Sequence, residues 1–266
     1  MKLIKIADTR KCFLTAAEMY CGKFVIDDEN EVIINRILQW LDGDVAFNQQ
    51  YAFGMQDLSK GIMIIGNPGS GKTTILEVIQ AITRGTMLTY RKHSTTSIID
   101  EFSKVGPGYL KKLTGNIFFD DLGFEKTAIH FGDKRELMQD VVFSRYDQMR
   151  GRERYMSHFT SMMKWQDIEA KYGPFAWSRL KQMCNIFLLG SSSDSKDRRI
   201  TSLIPQRPAI ETMPRLYISE SEYEEYKDRE RIKKSYEAQS KEGFKKSEYK
   251  GLGSQMRDAM DKHFKG

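Results

Sequence analysis

The chain has 266 residues, 40% hydrophobic and 29% charged, which is enough apolar mass for one large α/β domain or two small ones with a well-solvated surface. Its formal net charge of +6 points to an anionic partner and brings nucleic acid in as a candidate. Three cysteines, Cys12, Cys21 and Cys184, are odd in number and form no C-x-x-C pair, which argues against a disulfide framework or a zinc cluster; no apolar run approaches the roughly 20 residues needed to span a bilayer.

The N-terminal stretch is interrupted by charge every few residues and holds no signal-peptide core, so the expectation is a soluble cytoplasmic protein. From Met1 to Lys60 the pattern predicts two helices, about 14–22 and 29–42, the second with Val32, Ile33, Ile37, Leu38 and Leu41 near helical spacing. Residues 1–55 thus read as a small helical region packed on a core. Trp40, Phe47, Tyr51 and Phe53 are either part of that core or a stacking platform for a nucleobase.

Gly61-Ile62-Met63-Ile64-Ile65 is a short apolar strand, and Ile75-Leu76-Glu77-Val78-Ile79 begins a helix running to about residue 83. Between them lies Gly66-Asn67-Pro68-Gly69-Ser70-Gly71-Lys72-Thr73-Thr74. Strand, then G-x-x-x-x-G-K-T, then helix is the context of a phosphate-binding loop. Glycines at 66, 69 and 71 permit left-handed backbone and close approach, so that successive N–H groups converge on a phosphate at a helix N-terminus. In that role Lys72 reaches the β- and γ-phosphates of ATP and the Thr73 hydroxyl joins a Mg²⁺ shell.

Thr86 to Tyr90 is the next predicted strand, and Thr95 to Val105 a helix stopped by Gly106-Pro107-Gly108. Behind it, Tyr109-Leu110-Lys111-Lys112 sets lysines beside an aromatic, a pattern that grips single-stranded nucleic acid or that is simply a solvated turn. Asn116-Ile117-Phe118-Phe119-Asp120-Asp121-Leu122-Gly123 is a buried strand ending in two carboxylates, which is what the loop still needs: Asp120 for the Mg²⁺ shell, Asp121 to orient or deprotonate an attacking water. The 48 residues from Lys72 to Asp120 leave room for two helices and a strand, and place the acidic strand beside the loop's own strand with one strand inserted between them.

Asp133-Lys134-Arg135-Glu136 reads as a capping box opening a helix with Leu137, Met138, Val141, Val142, Tyr146 and Met149 on its apolar side and Arg145 and Arg150 on its polar side. A strand follows at Tyr155–Thr160, short helices at Gln166–Tyr172 and Trp177–Met183, and a strand at Asn185–Gly190. Five strands alternating with helices give a doubly wound α/β fold, with ligands at the carboxyl ends of the strands, over about residues 56–204. Residues 205–266 form a charged extension. Between Lys227 and Gly266, twelve Lys and Arg face seven Asp and Glu, nearly the whole molecular excess, and Leu252, Met256, Met260 and Phe264 form one apolar stripe.

Several segments together resemble one family. The loop GNPGSGKTT, the strand NIFFDDLG, the stretch HFTSMMKWQDIEAKYG and the run WSRLKQMCNIFLLG are similar, in order and spacing, to AAA+ ATPases of the DnaC-type helicase loaders and IstB-type transposition helpers, over about residues 55–200. The resemblance implies a P-loop NTPase (AAA+) core with a five-stranded parallel sheet between helices, and ATP and Mg²⁺ as ligands. Gly66, Asn67, Pro68, Gly69, Ser70, Gly71, Lys72, Thr73 and Thr74 would hold the nucleotide, Thr73 and Asp120 the metal, and Asp121 the water. It makes Arg179, in Ser178-Arg179-Leu180, an arginine finger reaching a neighbouring subunit in a ring or spiral homo-oligomer. It also implies single-stranded DNA and a replicative helicase as partners, with Lys104, Tyr109, Lys111 and Lys112 in the DNA-facing segment. The implied function is ATP-dependent helicase loading; the alternatives are a transposition helper or an ATP-gated DNA-binding switch with weak hydrolysis. One departure bears on turnover: where the family carries T-x-N at the end of the fourth strand, this chain reads Thr160-Ser161-Met162, and methionine offers no hydrogen-bond donor. Arg198 and Arg199 are the cations nearest the end of the fifth strand.

Overall fold

The computed structural model describes residues 3–130, 133–151, 154–190, 197–198 and 208–241. It divides into a unit spanning Lys5–Ile218 and a second that includes the segment from Ser219. In the first, five strands form one parallel sheet: β1 (Gly61–Gly66), β2 (Arg91–Ser94), β3 (Ile117–Asp120), β4 (Ser157–Ser161) and β5 (Cys184–Leu189), in the spatial order β5-β1-β4-β3-β2. Register follows from pairs such as Ile64 with Thr160 and Phe119 with Phe159, so the strands bearing the loop and the acids are separated by β4 alone. This is a doubly wound α/β architecture with a five-stranded parallel sheet between helices.

Every residue of β1 is buried because the sheet is covered on both faces, which is why its sequence is an unbroken apolar run. Alternation assigns the faces. Ile62 and Ile64 join Phe118 and Phe187 in one core with helices α1 (Thr9–Cys21), α2 (Glu31–Asp42) and α3 (Lys72–Ile82), while Met63 and Ile65 join Phe119 and Phe159 in another with α4 (Thr95–Val105), α5 (Leu137–Arg150) and α6 (Trp165–Met183). The helix ends are chemically marked. Asp8 caps α1 through Lys11 N at 2.8 Å, Ser94 caps α4 through Ser97 N at 3.1 Å, and α6 is broken where Gly173, at φ 83°, precedes Pro174. Met213 and Leu216 are also buried in the first core.

Three local expectations are corrected. The second strand is Arg91–Ser94 rather than Thr86–Tyr90: the Thr86 and Thr89 hydroxyls donate to Thr83 O at 2.7 and 2.6 Å and fold that stretch into a turn that ends α3. Asp133–Arg135 is not a helix cap but a strand paired antiparallel with Ala128–His130, and α5 begins at Leu137. Arg145, expected on the polar side, is fully buried, donating from Nε to Ser157 Oγ at 2.8 Å and from its remaining nitrogens to the carbonyls of Leu113, Gly115 and Met156 at 2.8–3.0 Å. It clamps the N-terminal ends of β3 and β4; burial is the main cause that lowers its pKa to about 10. All three cysteines are free, with Cys12 and Cys184 buried. In the second unit, helix α7 (Glu220–Lys241) opens with a true capping box, in which Ser219 N donates to Glu222 Oε2 at 2.9 Å and Glu222 N to Ser219 Oγ at 3.3 Å. Pairs such as Lys227–Glu224 line its surface. The stripe Leu252, Met256, Met260 and Phe264, like Arg199, lies outside the described residues.

His158 of β4 is wholly buried, its Nδ1 accepting from Ile62 N at 3.1 Å and its ring lying 4.3 Å from that of Tyr90 and edge-on to Trp40. Burial, reinforced by the Arg145 charge, lowers its pKa to about 3. The folded chain therefore binds no proton here where the unfolded chain does below about 6.5, and stability is lost as pH falls from that value toward 3. Urea unfolding between pH 7.5 and 4.5 should show this loss with a slope of up to about 1.4 kcal/mol per pH unit from this residue. His158→Gln should flatten that part of the profile; an unchanged slope would rule the histidine out as its source.

Candidate functional site

At the carboxyl edge of the sheet, β1 runs into the loop Gly66–Thr74, and the loop runs into α3. Gly66 is required by close approach, since a Cβ there would lie 1.7 Å from Leu189 O, and Gly71 ends the loop at φ 97° as the residue before the first turn of α3. The Lys72 ammonium donates to Asn67 O at 2.8 Å. The Ser70 hydroxyl is buried with no hydrogen-bond partner among the described residues, a polar atom inside the loop that a bound phosphate oxygen would satisfy. With the N-terminus of α3 behind it, the loop fits an anionic phosphate.

Asp120, at the end of β3, is 6% exposed. Its Oδ1 accepts from Thr73 Oγ1 at 2.8 Å and from Thr160 Oγ1 at 2.6 Å, and its Oδ2 pairs with Lys92 Nζ at 2.7 Å. Thus Thr73 and Asp120, expected to share a metal, are in contact. Among the described residues no group of three or more His, Cys, Asp or Glu is placed to hold a metal. Two oxygen donors beside a phosphate loop nevertheless suit Mg²⁺, which usually takes one or two protein oxygens and completes its shell from phosphates and water. Asp121 turns the chain sharply at φ 62°, its N–H held by Thr160 Oγ1 at 2.9 Å and its carbonyl by Thr95 Oγ1 at 2.8 Å.

A cavity of about 570 Å³ opens over these groups. Its lining includes Gly69 to Thr74, Asp120 and Asp121, together with Tyr20, Phe24, Met162 and Arg198. Trp40, Phe47, Tyr51 and Phe53 take no part in it and pack in or against the two cores. Arg198 reaches across to Asp27 at 2.9 Å and Glu29 at 3.2 Å while its N–H donates to Gly69 O at 3.1 Å, tying the chain beyond β5 to both the loop and the segment after α1. The Met162 side chain offers no hydrogen-bond donor, and the neighbouring hydroxyls are engaged: Thr160 as above, and Ser161 Oγ to Leu122 O at 2.6 Å.

Sequence reasoning missed Lys92 and Glu77. Lys92 Nζ lies 2.7 Å from Glu77 Oε1 as well as from Asp120 Oδ2, and Tyr20 OH donates to the other oxygen of Glu77. Burial opposes the Lys92 charge, but the hydrogen bonds and attraction of the two carboxylates outweigh it and raise its pKa. Nothing in a single polar strand residue signals this role; only the sheet order brings Lys92 beside Asp120.

The remaining expected residues lie elsewhere. Arg179 does not line the cavity; its guanidinium stacks 4.1 Å from the centre of the Tyr146 ring, and it pairs with no carboxylate among the described residues. Lys111 and Lys112 are exposed, Lys104 is exposed and paired with Glu101 at 2.9 Å, and Tyr109 is half-buried against the second core. The loop after Asp121 is anchored by α6. Gly123 N donates to Glu125 Oε2 at 2.8 Å, Lys171 Nζ to Gly123 O at 2.9 Å, and Tyr172 OH to Glu125.

No protein-family model matches the chain, and a search of curated proteins finds no match. Among solved structures it is similar to the DnaC helicase loader, at 16% identity and a TM-score of 0.45 over 63% of this chain and 94% of that one. It is similar to AMPPCP-bound DnaA from Aquifex aeolicus, at 17% and 0.44 over 68% of this chain and 52% of that one. A DNA replication initiation factor matches at 14% and 0.45 over 68% and 51%, so the chain spans about half the length of these two. At such values the likenesses to these structures carry no part of the functional reading.

Tyr172 and Glu125 are both buried, so Tyr172→Phe leaves a carboxylate short of one partner. The variant should lose ~1–3 kcal/mol of stability in denaturant unfolding. Parental stability would show that this contact does not hold the loop.

Proposed function

We propose that this protein is an ATP-dependent helicase loader, a P-loop switch that binds ATP and single-stranded DNA and delivers a replicative helicase in the cytoplasm. The observation that carries the reading is the meeting of Thr73 and Asp120 at 2.8 Å, which joins the phosphate loop to the acidic strand in one site. The function beyond nucleotide binding rests on the family resemblance of the segments around that site.

In this reading the loop N–H groups, the Ser70 hydroxyl and Lys72 bind and orient the phosphates. Thr73 and Asp120 would hold Mg²⁺, which when bound neutralises charge on the β- and γ-phosphates. Asp121 accepts a proton from, or orients, the attacking water, and its left-handed backbone is locked by Thr95 and Thr160. Arg179 acts in trans in a ring or spiral. Supporting that direction, Phe175, four residues earlier on the same arm of α6, is 78% exposed, and Phe124 at the cavity rim is 69% exposed, so apolar surface accompanies both ends of such an interface. Lys104, Lys111 and Lys112 supply exposed positive charge for a DNA backbone.

A second reading is favoured by one observation: Met162 lines the cavity while the Thr160 and Ser161 hydroxyls are bonded within the protein. On this reading the chain hydrolyses ATP weakly and works mainly as an ATP-gated DNA-binding switch.

Affinity capture with ATP present should retain a replicative helicase and not a transposase, and Lys72→Ala should abolish the capture while weakening ATP binding at least about tenfold. ATP affinity equal to the parent's in Lys72→Ala would remove the site assignment; capture of a transposase alone would replace helicase loading with transposition.

Arg179→Ala should bind ATP near normally yet lose ATP-dependent assembly, with turnover falling by up to the roughly 10³- to 10⁵-fold that a trans-acting arginine contributes. Mixed with Lys72→Ala subunits, it should regain activity, because one kind of interface then pairs an intact loop with an intact arginine. Parental turnover by Arg179→Ala alone would show that no arginine is supplied from this position.

A further inference from the structure

We propose that Lys92 is a nucleotide-positioning cation of this site, one that lets the loop hold a nucleoside triphosphate in the absence of a divalent metal; the proposal rests on the nucleotide-binding reading above. Three ionisable side chains that line the same cavity as the loop form one array: Glu77 on α3, Lys92 on β2 and Asp120 on β3. The two carboxylate side chains are 8% and 9% exposed, and the Lys92 ammonium lies 2.7 Å from each.

The arrangement is costly for a triphosphate unless a cation stays. Glu77 lies one helical turn beyond Thr73 on the same face of α3 and lines the cavity that the phosphates enter, and in a low-dielectric pocket like charges repel strongly. Lys92 offsets Glu77 and, through its second bond, offsets Asp120 as well. A divalent cation held by Thr73 and Asp120 would place charge on the same Asp120 carboxylate, so Lys92 matters most where that cation is absent. Lys92 also holds β2 to α3, and a purely structural tie of that kind would affect nucleotide binding equally with and without metal. The Glu77 partner is itself fixed by Tyr20, whose side chain comes from α1 and lines the same cavity. The array therefore spans α1, α3, β2 and β3.

The test is the ratio of ATP dissociation constants, in EDTA over in Mg²⁺, measured with a fluorescent ATP analogue on the full chain. The parent should still bind in EDTA. Lys92→Met should raise the ratio at least about tenfold, Lys92→Arg should leave it within about threefold, and Glu77→Gln, which removes the repelling charge but keeps an acceptor for Tyr20, should lower it. A ratio unmoved in a folded Lys92→Met overturns the proposal, and where Lys92→Met does not fold, a ratio unmoved in Glu77→Gln overturns it instead. Failure of the parent to bind in EDTA while it binds with Mg²⁺ also overturns it. A parent that binds no ATP in either condition overturns the nucleotide-binding reading as well.

Discussion

One buried carboxylate ties the site together. Asp120 accepts from Thr73 at the start of α3, from Thr160 on β4 and from Lys92 on β2, so each element beside the end of β3 is joined to it through a single side chain. A carboxylate this buried requires such partners, because its desolvation is offset only by hydrogen bonds and a counter-charge. The register of the sheet follows: Phe119 opposite Phe159 and Ser94 opposite Asp120 bring those partners within reach. A slip of one residue would turn Asp120 toward the apolar side of the strand.

How the chain reads from its sequence divides along the same line. The loop and the acidic strand were legible because their chemistry is local: glycines at fixed spacing, a lysine and a threonine opening a helix, and a strand that ends in acids. The five-strand alternation was legible because strands covered on both faces are apolar throughout. What failed was polar or long-range. Arg91–Ser94 looks nothing like a strand, yet it lies at the edge of the sheet, where one side need not be covered and polar residues are tolerated; the more apolar Thr86–Tyr90 instead exposes Met87 and buries Tyr90. Arg145 sits at a position of α5 that periodicity assigns to solvent, but the ends of β3 and β4 present carbonyls there that no local pattern reveals. Lys92 was invisible for the same reason, since its two partners are 15 and 28 residues away in sequence.

The end of β4 bears on what the site does with a bound nucleotide. β4 lies between the loop strand and the acidic strand, so the chain at its end borders the cavity. Here those residues are Thr160, Ser161 and Met162. The two hydroxyls are drawn inward, one to Asp120 and the backbone of Asp121, the other to Leu122. The position that faces the cavity is a thioether. The Thr160 and Ser161 hydroxyls therefore fix the shape of the acidic turn.

That division has a mechanical consequence. Because Thr160 holds both the Asp120 carboxylate and the Asp121 N–H, any shift of Asp120 on filling the site is passed to the Asp121 turn. From there Leu122 and Gly123 carry it to Glu125, Lys171 and Tyr172 on the first arm of α6. The second arm, beyond the break at Gly173, bears Phe175 and Arg179. The aromatic stacking of Arg179 on Tyr146 is a weak restraint, worth on the order of 0.5–1 kcal/mol when partly solvated. Hydrogen bonds and the short stretch of backbone from Asp121 to Gly123 thus connect the phosphate loop to the first arm of α6, the helix whose second arm is proposed to meet a neighbour.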